Sequence, residues 1–113
     1  LKNHGDCKLE DFCEMINQLV NMIGQDNVGI GSDLCMNWPD SVVMWMRNGK
    51  WTKKIDYGES KDKNASWPEP VSWYSKPEDI SDFLSGMILN GVHEKTAHKI
   101  VGSNWLNFMK NHF

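Results

Sequence analysis

Asn27-Val28-Gly29-Ile30-Gly31-Ser32-Asp33 is the stretch whose reading decides the fold of this 113-residue chain. By its side chains it is one short buried strand, Val28 to Ser32, ending on a carboxylate. Two glycines inside a strand leave no side chains to pack, so they mark a tight bend or a place where another group comes close. Asp33 then stands where strand gives way to loop. In parallel α/β sheets the loops at the carboxyl ends of strands bring polar groups together over a rigid base, which makes Asp33 a candidate for chemistry. A residue that merely caps or turns the chain is the other reading of the same position.

On the amino-terminal side, Leu9, Phe12, Ile16, Leu19, Val20 and Ile23 recur at helical spacing, with Glu10 and Asp11 early and Gly24 directly after. Lys8 to Ile23 is therefore expected to be an amphipathic helix that Gly24 ends. Gln25-Asp26-Asn27 makes a short polar connection into the strand, the αβ half of a βαβ unit. The class this predicts is α/β with a mostly parallel sheet.

On the carboxyl-terminal side, Leu34 to Lys76 has little periodicity but contains Trp38, Trp45, Trp51, Tyr57, Trp67, Trp73 and Tyr74. Loops longer than about 15 residues are uncommon in compact domains unless functional or disordered. Disordered segments are poor in aromatics, so an ordered, functional loop is expected. Within it Asp40 to Arg47 reads as a short helix, with Val43 and Trp45 to Met46 inward and Asn48-Gly49 stopping it. Ser75 and Glu78 have capping-box spacing, and Ile80, Phe83, Leu84, Met87 and Ile88 follow at helical intervals. A helix from Pro77 to Asn90, ended by Gly91, is the result. His93 to Val101 reads as another, with Ala97, Ile100 and Val101 inward. Gly102 is expected to break the chain before a last helix, Ser103 to Asn111, that buries Trp105, Leu106 and Phe108 or Met109.

A net charge of −3 and 40% hydrophobic residues fit a soluble globular protein. No apolar run approaches the roughly 20 residues that cross a bilayer, and no signal core is present. The lysines are dispersed, which excludes the dense basic face of a nucleic-acid binder. Cys7, Cys13 and Cys35 are odd in number and lack CxxC spacing, so they read as free thiols; His4, Cys7 and Cys13 match no common zinc motif. A start at Leu1 rather than Met reads as a fragment or a processed chain.

Taken together, Asn27 to Asp33 resembles the HVGIGSDF-type last strand of the membrane dipeptidase (renal dipeptidase) family, zinc peptidases built on the amidohydrolase (β/α)8 barrel. Val101-Gly102-Ser103-Asn104-Trp105-Leu106-Asn107-Phe108 looks like that family's terminal GGNWLRVF-type segment. Trp45-Met46-Arg47-Asn48-Gly49-Lys50-Trp51-Thr52 is similar to a W-x-R-x-G-x-W segment of a bacterial branch. Because such a barrel needs roughly 250 residues, the resemblance implies that residues 1–113 are the C-terminal portion of a single TIM-barrel domain. That portion would comprise helix seven, strand eight, a long loop, helix eight and terminal helices, not a complete barrel. With no sheet partner in the chain, Val28, Ile30 and parts of both long helix stripes would then be more exposed than their chemistry warrants.

The activity the resemblance implies is zinc-dependent hydrolysis of dipeptides by the full-length protein. Its binuclear zinc ligands, a His-x-Asp pair, a bridging acid and two later histidines, would lie upstream of this chain. His93, His98 and His112 read as surface or helix-capping residues. Asp33 is the one position that carries over, as the catalytic and substrate-contacting carboxylate; Trp38, just after the strand and next to Pro39, reads as the loop residue that faces substrate, and Arg47 as a helix-surface residue. After Asp33 the chain continues Leu34-Cys35-Met36 instead of the family's Asp-Phe-Asp-Gly pattern, which leaves the pocket and its preferred dipeptide open. Two other readings stand beside this one: hydrolysis of another amide or a lactam on the same scaffold, and a non-catalytic, Trp-rich binding module. The expected partner is a dipeptide; no nucleic acid is expected, and membrane association and a homodimer are left open.

Overall fold

The computed structural model describes residues 6–47 and 66–113. His4, Asn48-Gly49, Trp51, Tyr57 and much of the Trp45 to Thr52 segment lie outside the described residues. Among the described residues five α-helices follow in order: α1 (Leu9–Ile23), α2 (Asp40–Arg47), α3 (Ile80–Leu89), α4 (Glu94–His98) and α5 (Asn104–His112). By compactness the chain divides into two units, one of Leu1–Leu34 with Pro70–Phe113, the other of Cys35–Glu69.

No strand occurs among the described residues, which corrects the expected α/β barrel portion with its strand at Val28 to Ser32. Val28 does have extended backbone, φ −108° and ψ 130°. What it lacks is a ladder. Ile30 N–H donates to the Ile100 carbonyl of a helical segment, at 3.3 Å, instead of to a neighbouring strand. The carbonyls of Val28 and Ile30 are taken by side chains. Buried backbone groups must find partners, and here helices supply them where a sheet was expected. For the same reason Val28 is only 5% exposed, against the expectation that it would lie open.

α1 forms because its apolar residues make one stripe, and Phe12, Cys13 and Ile16 are its buried members. It starts after the extended Lys8 and stops at Gly24, whose φ of 87° suits glycine and whose N–H returns to the Val20 carbonyl at 2.9 Å. Asn27 adds a side-chain N–H to the Ile23 carbonyl at 2.7 Å.

α3 enters through a 3₁₀ turn, Pro77–Asp79. Its cap is Asp79, not the expected Glu78: Asp79 Oδ2 accepts from Ser75 N–H at 2.9 Å, Ser75 Oγ at 3.0 Å and Lys76 N–H at 3.1 Å. These hydrogen bonds, the Ser75 amide first, hold its carboxyl below the usual carboxylate range. The helix ends as expected near Gly91: Val92 N–H reaches the Met87 carbonyl and Gly91 N–H that of Ile88, the paired bonds of a Schellman motif.

These helices enclose one core of Phe12, Cys13, Ile16, Phe83, Met87, Val92, Ala97 and Ile100, joined by Val28, Val71 and Cys7. Trp73 and Tyr74, in the stretch expected to be an ordered loop, pack against the core. Their rings lie 5.4 and 5.2 Å from that of Phe83, and the Trp73 indole N–H donates to the Cys7 carbonyl at 2.8 Å.

Gly102 does not break the chain. α4 runs into α5 through a π-helical turn, Lys99–Ser103, so residues 94–112 form one helical run. α5 has no buried residue; Trp105, Leu106, Phe108 and Met109 are 44 to 52% exposed, which corrects the expected burial. Its first turn alone finds partners in residues 25–30, through Asn104 and Trp105.

In the second unit α2 has its expected limits, with Val43 buried, but Met46 is 44% exposed where it was expected to pack inward. Trp67 is tied to the start of this helix, its amide donating to Asp40 Oδ1 at 3.2 Å and its indole to the Pro39 carbonyl at 3.3 Å. No helix among the described residues is long and apolar enough to cross a membrane.

Candidate functional site

The candidate site is built on residues 25–33 and held by the helical run 94–112. Asn104 does most of the holding. Its amide Nδ2 donates to the carbonyls of Gln25 and Val28, 2.7 Å in each case. One residue on, the Trp105 indole N–H donates to the Ile30 carbonyl at 2.8 Å. Thr96, buried in α4, donates its hydroxyl to Gln25 Oε1 at 2.8 Å, and Lys99 pairs with Asp26. Four side chains of the helical run thus grip residues 25–30 from one side.

Gly29 is explained by this grip. A Cβ there would lie 2.8 Å from the Trp105 indole nitrogen and 3.1 Å from Cε2, closer than atoms tolerate. Of the two meanings of a glycine in such a stretch, close approach is the one realised here. Gly31 has nothing within 4 Å of the same position.

Asp33 follows at the end of the gripped segment, exposed, with φ of 50°. Asp and Asn are the non-glycine residues that most readily take this left-handed conformation, so Asp33 turns the chain as well as presenting a carboxylate. The turn reading of this position is the one the backbone shows.

Trp38 is 60% exposed and belongs to the second unit. The side chain of Arg47 lies outside the described residues. His93, His98 and His112 are exposed; His93 occupies the N-cap of α4 without a side-chain capping bond, and His112 lies 4.6 Å from the Phe108 ring.

No group of three His, Cys, Asp or Glu that could hold a metal ion occurs among the described residues. Cys7 and Cys13 are buried, Cys35 is exposed and all three are free. Burial first, and then the charge of Glu10, push the Cys13 thiol up to about 11, so it stays protonated and is a poor metal ligand at neutral pH. The described residues therefore do not fit a zinc site of their own.

Sequence reasoning missed Asn104, Trp105, Thr96 and Gln25 as a bonded set. The signal available was a polar Asn104 beside an aromatic donor within the Val101 to Phe108 segment, but spacing alone does not tell which carbonyls such groups reach. No family model, curated protein or solved structure matches the chain.

Proposed function

We propose that this chain is part of a zinc-dependent dipeptidase, to which it contributes Asp33 and the segment that carries it. The observation that supports this reading is that two of the stretches resembling the membrane dipeptidase family, Asn27 to Asp33 and Val101 to Phe108, are bonded directly to each other. Trp105 to Ile30 and Asn104 to Val28 are those bonds. Two stretches that carry the resemblance thus form one structural unit, which supports reading them together.

In this reading Asp33 carries the proton. When an amide is hydrolysed the departing amine must be protonated, and a carboxyl group within hydrogen-bond reach performs that transfer. Asp33 suits the task because it is exposed and no ion pair among the described residues engages it. The zinc ions would be held by residues outside this chain.

The test is dipeptide hydrolysis by the full-length protein supplied with zinc, with simple amides and lactams assayed in parallel. Chelator-sensitive turnover of dipeptides is the expected result, and the isolated chain of 113 residues should show none above background. Turnover by the isolated chain, abolished by a chelator, would overturn the division of labour. A preference for lactams over dipeptides would move the substrate class.

A further inference from the structure

We infer that Asn104 and Trp105 are positioning residues: from the first turn of α5 they fix the path of residues 28–33 and thereby the place of the Asp33 carboxylate. The inference rests on the dipeptidase reading for its catalytic consequence, and on geometry alone for the positioning itself.

An extended segment without a strand partner has no ladder to set its course, and single backbone bonds leave it free to shift. Here three carbonyls, those of Gln25, Val28 and Ile30, are met by two adjacent side chains at 2.7 to 2.8 Å. One backbone bond, Ile30 N–H to the Ile100 carbonyl at 3.3 Å, closes the set. The last of these anchors lies three positions before Asp33. Beyond Ile30 the chain is Gly31-Ser32-Asp33, with all three residues exposed.

The acceptors of this clamp lie on Gln25, Val28 and Ile30, and its donors follow directly on a π-helical turn. A π turn inserts one extra residue into a helix and rotates everything after it. Asn104, the first residue after Lys99–Ser103, is therefore aimed by that turn as well as by its own side chain. Gly29 completes the arrangement, since the indole stands where its Cβ would be. Donor, acceptor and the space between them agree, which a chance surface contact does not require.

Three variants of the full-length protein test this. Trp105→Phe removes the indole donor but keeps an aromatic ring, Asn104→Asp replaces an N–H donor with oxygen facing two carbonyls, and Gly29→Ala pushes on the indole from the other side. Hydrogen exchange read by mass spectrometry should become faster in peptides spanning residues 28–33, with α1 and α3 protected as before. In the dipeptidase assay kcat should fall by up to about 10²-fold, the cost of roughly 1 Å of misplacement, with KM little changed. Leu106→Ala, half-exposed on the same helix and outside the clamp, should change neither readout.

Unchanged exchange in all three variants overturns the clamp. Faster exchange with unchanged kcat and KM overturns the link to Asp33. An inactive parent protein overturns the dipeptidase reading instead, and is recognised because exchange still responds to the variants.

Discussion

The indole nitrogen of Trp105 stands 2.8 Å from the carbonyl oxygen of Ile30, occupying the space that a side chain at position 29 would need. The two glycines of the segment should therefore respond differently to alanine. Gly29→Ala must displace a rigid ring and strain or break its hydrogen bond, and should cost about 1–3 kcal/mol, the range for overpacking. Gly31→Ala meets nothing within 4 Å. It should stay within about 0.5 kcal/mol of the parent, as open surface sites do. Urea denaturation of both variants decides it: equal losses would mean that the indole is not held as described.

Phe83 is the centre of the core. It is 1% exposed and its ring meets those of Phe12, Trp73 and Tyr74 at 5.8, 5.4 and 5.2 Å. Phe83→Ala should destabilise by about 3–5 kcal/mol, from lost transfer energy and the cavity left behind. Phe108→Ala, on the uncovered face of α5 and 49% exposed, should cost far less. Comparable losses at the two positions would show that α5 is covered in solution.

Much of this architecture could be read from local pattern. The helices at Leu9–Ile23 and Asp40–Arg47, and that ending at Gly91, follow from apolar spacing and caps, which are settled within a few residues. Val28 to Ser32 could not be read in this way. Its residues report burial and extended preference, and both hold at Val28, but whether its carbonyls meet a strand or the side chains of Asn104 and Trp105 is decided some 75 residues away. The π turn at Lys99–Ser103 was hidden for a related reason: Gly102 suggests a break, yet the helix runs through it, with Ile100 buried before it and Asn104 and Trp105 hydrogen-bonded after it. At the candidate site, Asp33 was legible as an exposed carboxylate after an apolar stretch, and the residues that hold its segment were not.

Asp79 gives the fold a defined acid response. Its carboxyl is held below the usual carboxylate range in the folded chain, chiefly by the Ser75 amide. The native state therefore binds fewer protons than the unfolded one between that lowered value and the ordinary one. Its contribution is complete above the ordinary carboxylate value and is lost as pH falls through the lowered folded value. Asp79→Ala should lower Tm at neutral pH, and the gap from the parent should close in strong acid. A gap independent of pH would mean that the carboxylate's charge is not what caps α3.

The three thiols should separate by reactivity. Cys35 is exposed, whereas Cys7 and Cys13 are buried, and the Cys13 thiol is raised to about 11. Thiolate is the reacting species, so Cys35 should be modified quickly at mild alkaline pH and Cys13 only after unfolding. Mass spectrometry of alkylated protein, with and without denaturant, reads this directly. Rapid labelling of Cys13 in the native chain would contradict its burial in the core.

Asp33→Asn is the variant that separates chemistry from chain direction. Asp33 has φ of 50°, and asparagine accepts that left-handed conformation as readily as aspartate, so the substitution keeps the turn. A β-branched residue would not, and its effect would mix strain with lost function. The amide preserves shape but cannot carry a proton to a leaving amine. If the proposed dipeptidase reading holds, kcat for dipeptide hydrolysis by the full-length protein should fall by about 10²-fold or more, within the range for a lost general acid or base. Denaturation midpoint and bound zinc should stay close to those of the parent, because Asp33 belongs to neither the core nor a metal-holding group among the described residues. If kcat is unchanged while the midpoint is also unchanged, Asp33 is a turn residue and the proton must come from elsewhere. If the midpoint falls together with kcat, the carboxylate is needed for the turn itself, and the loss of activity is then a consequence of a displaced segment.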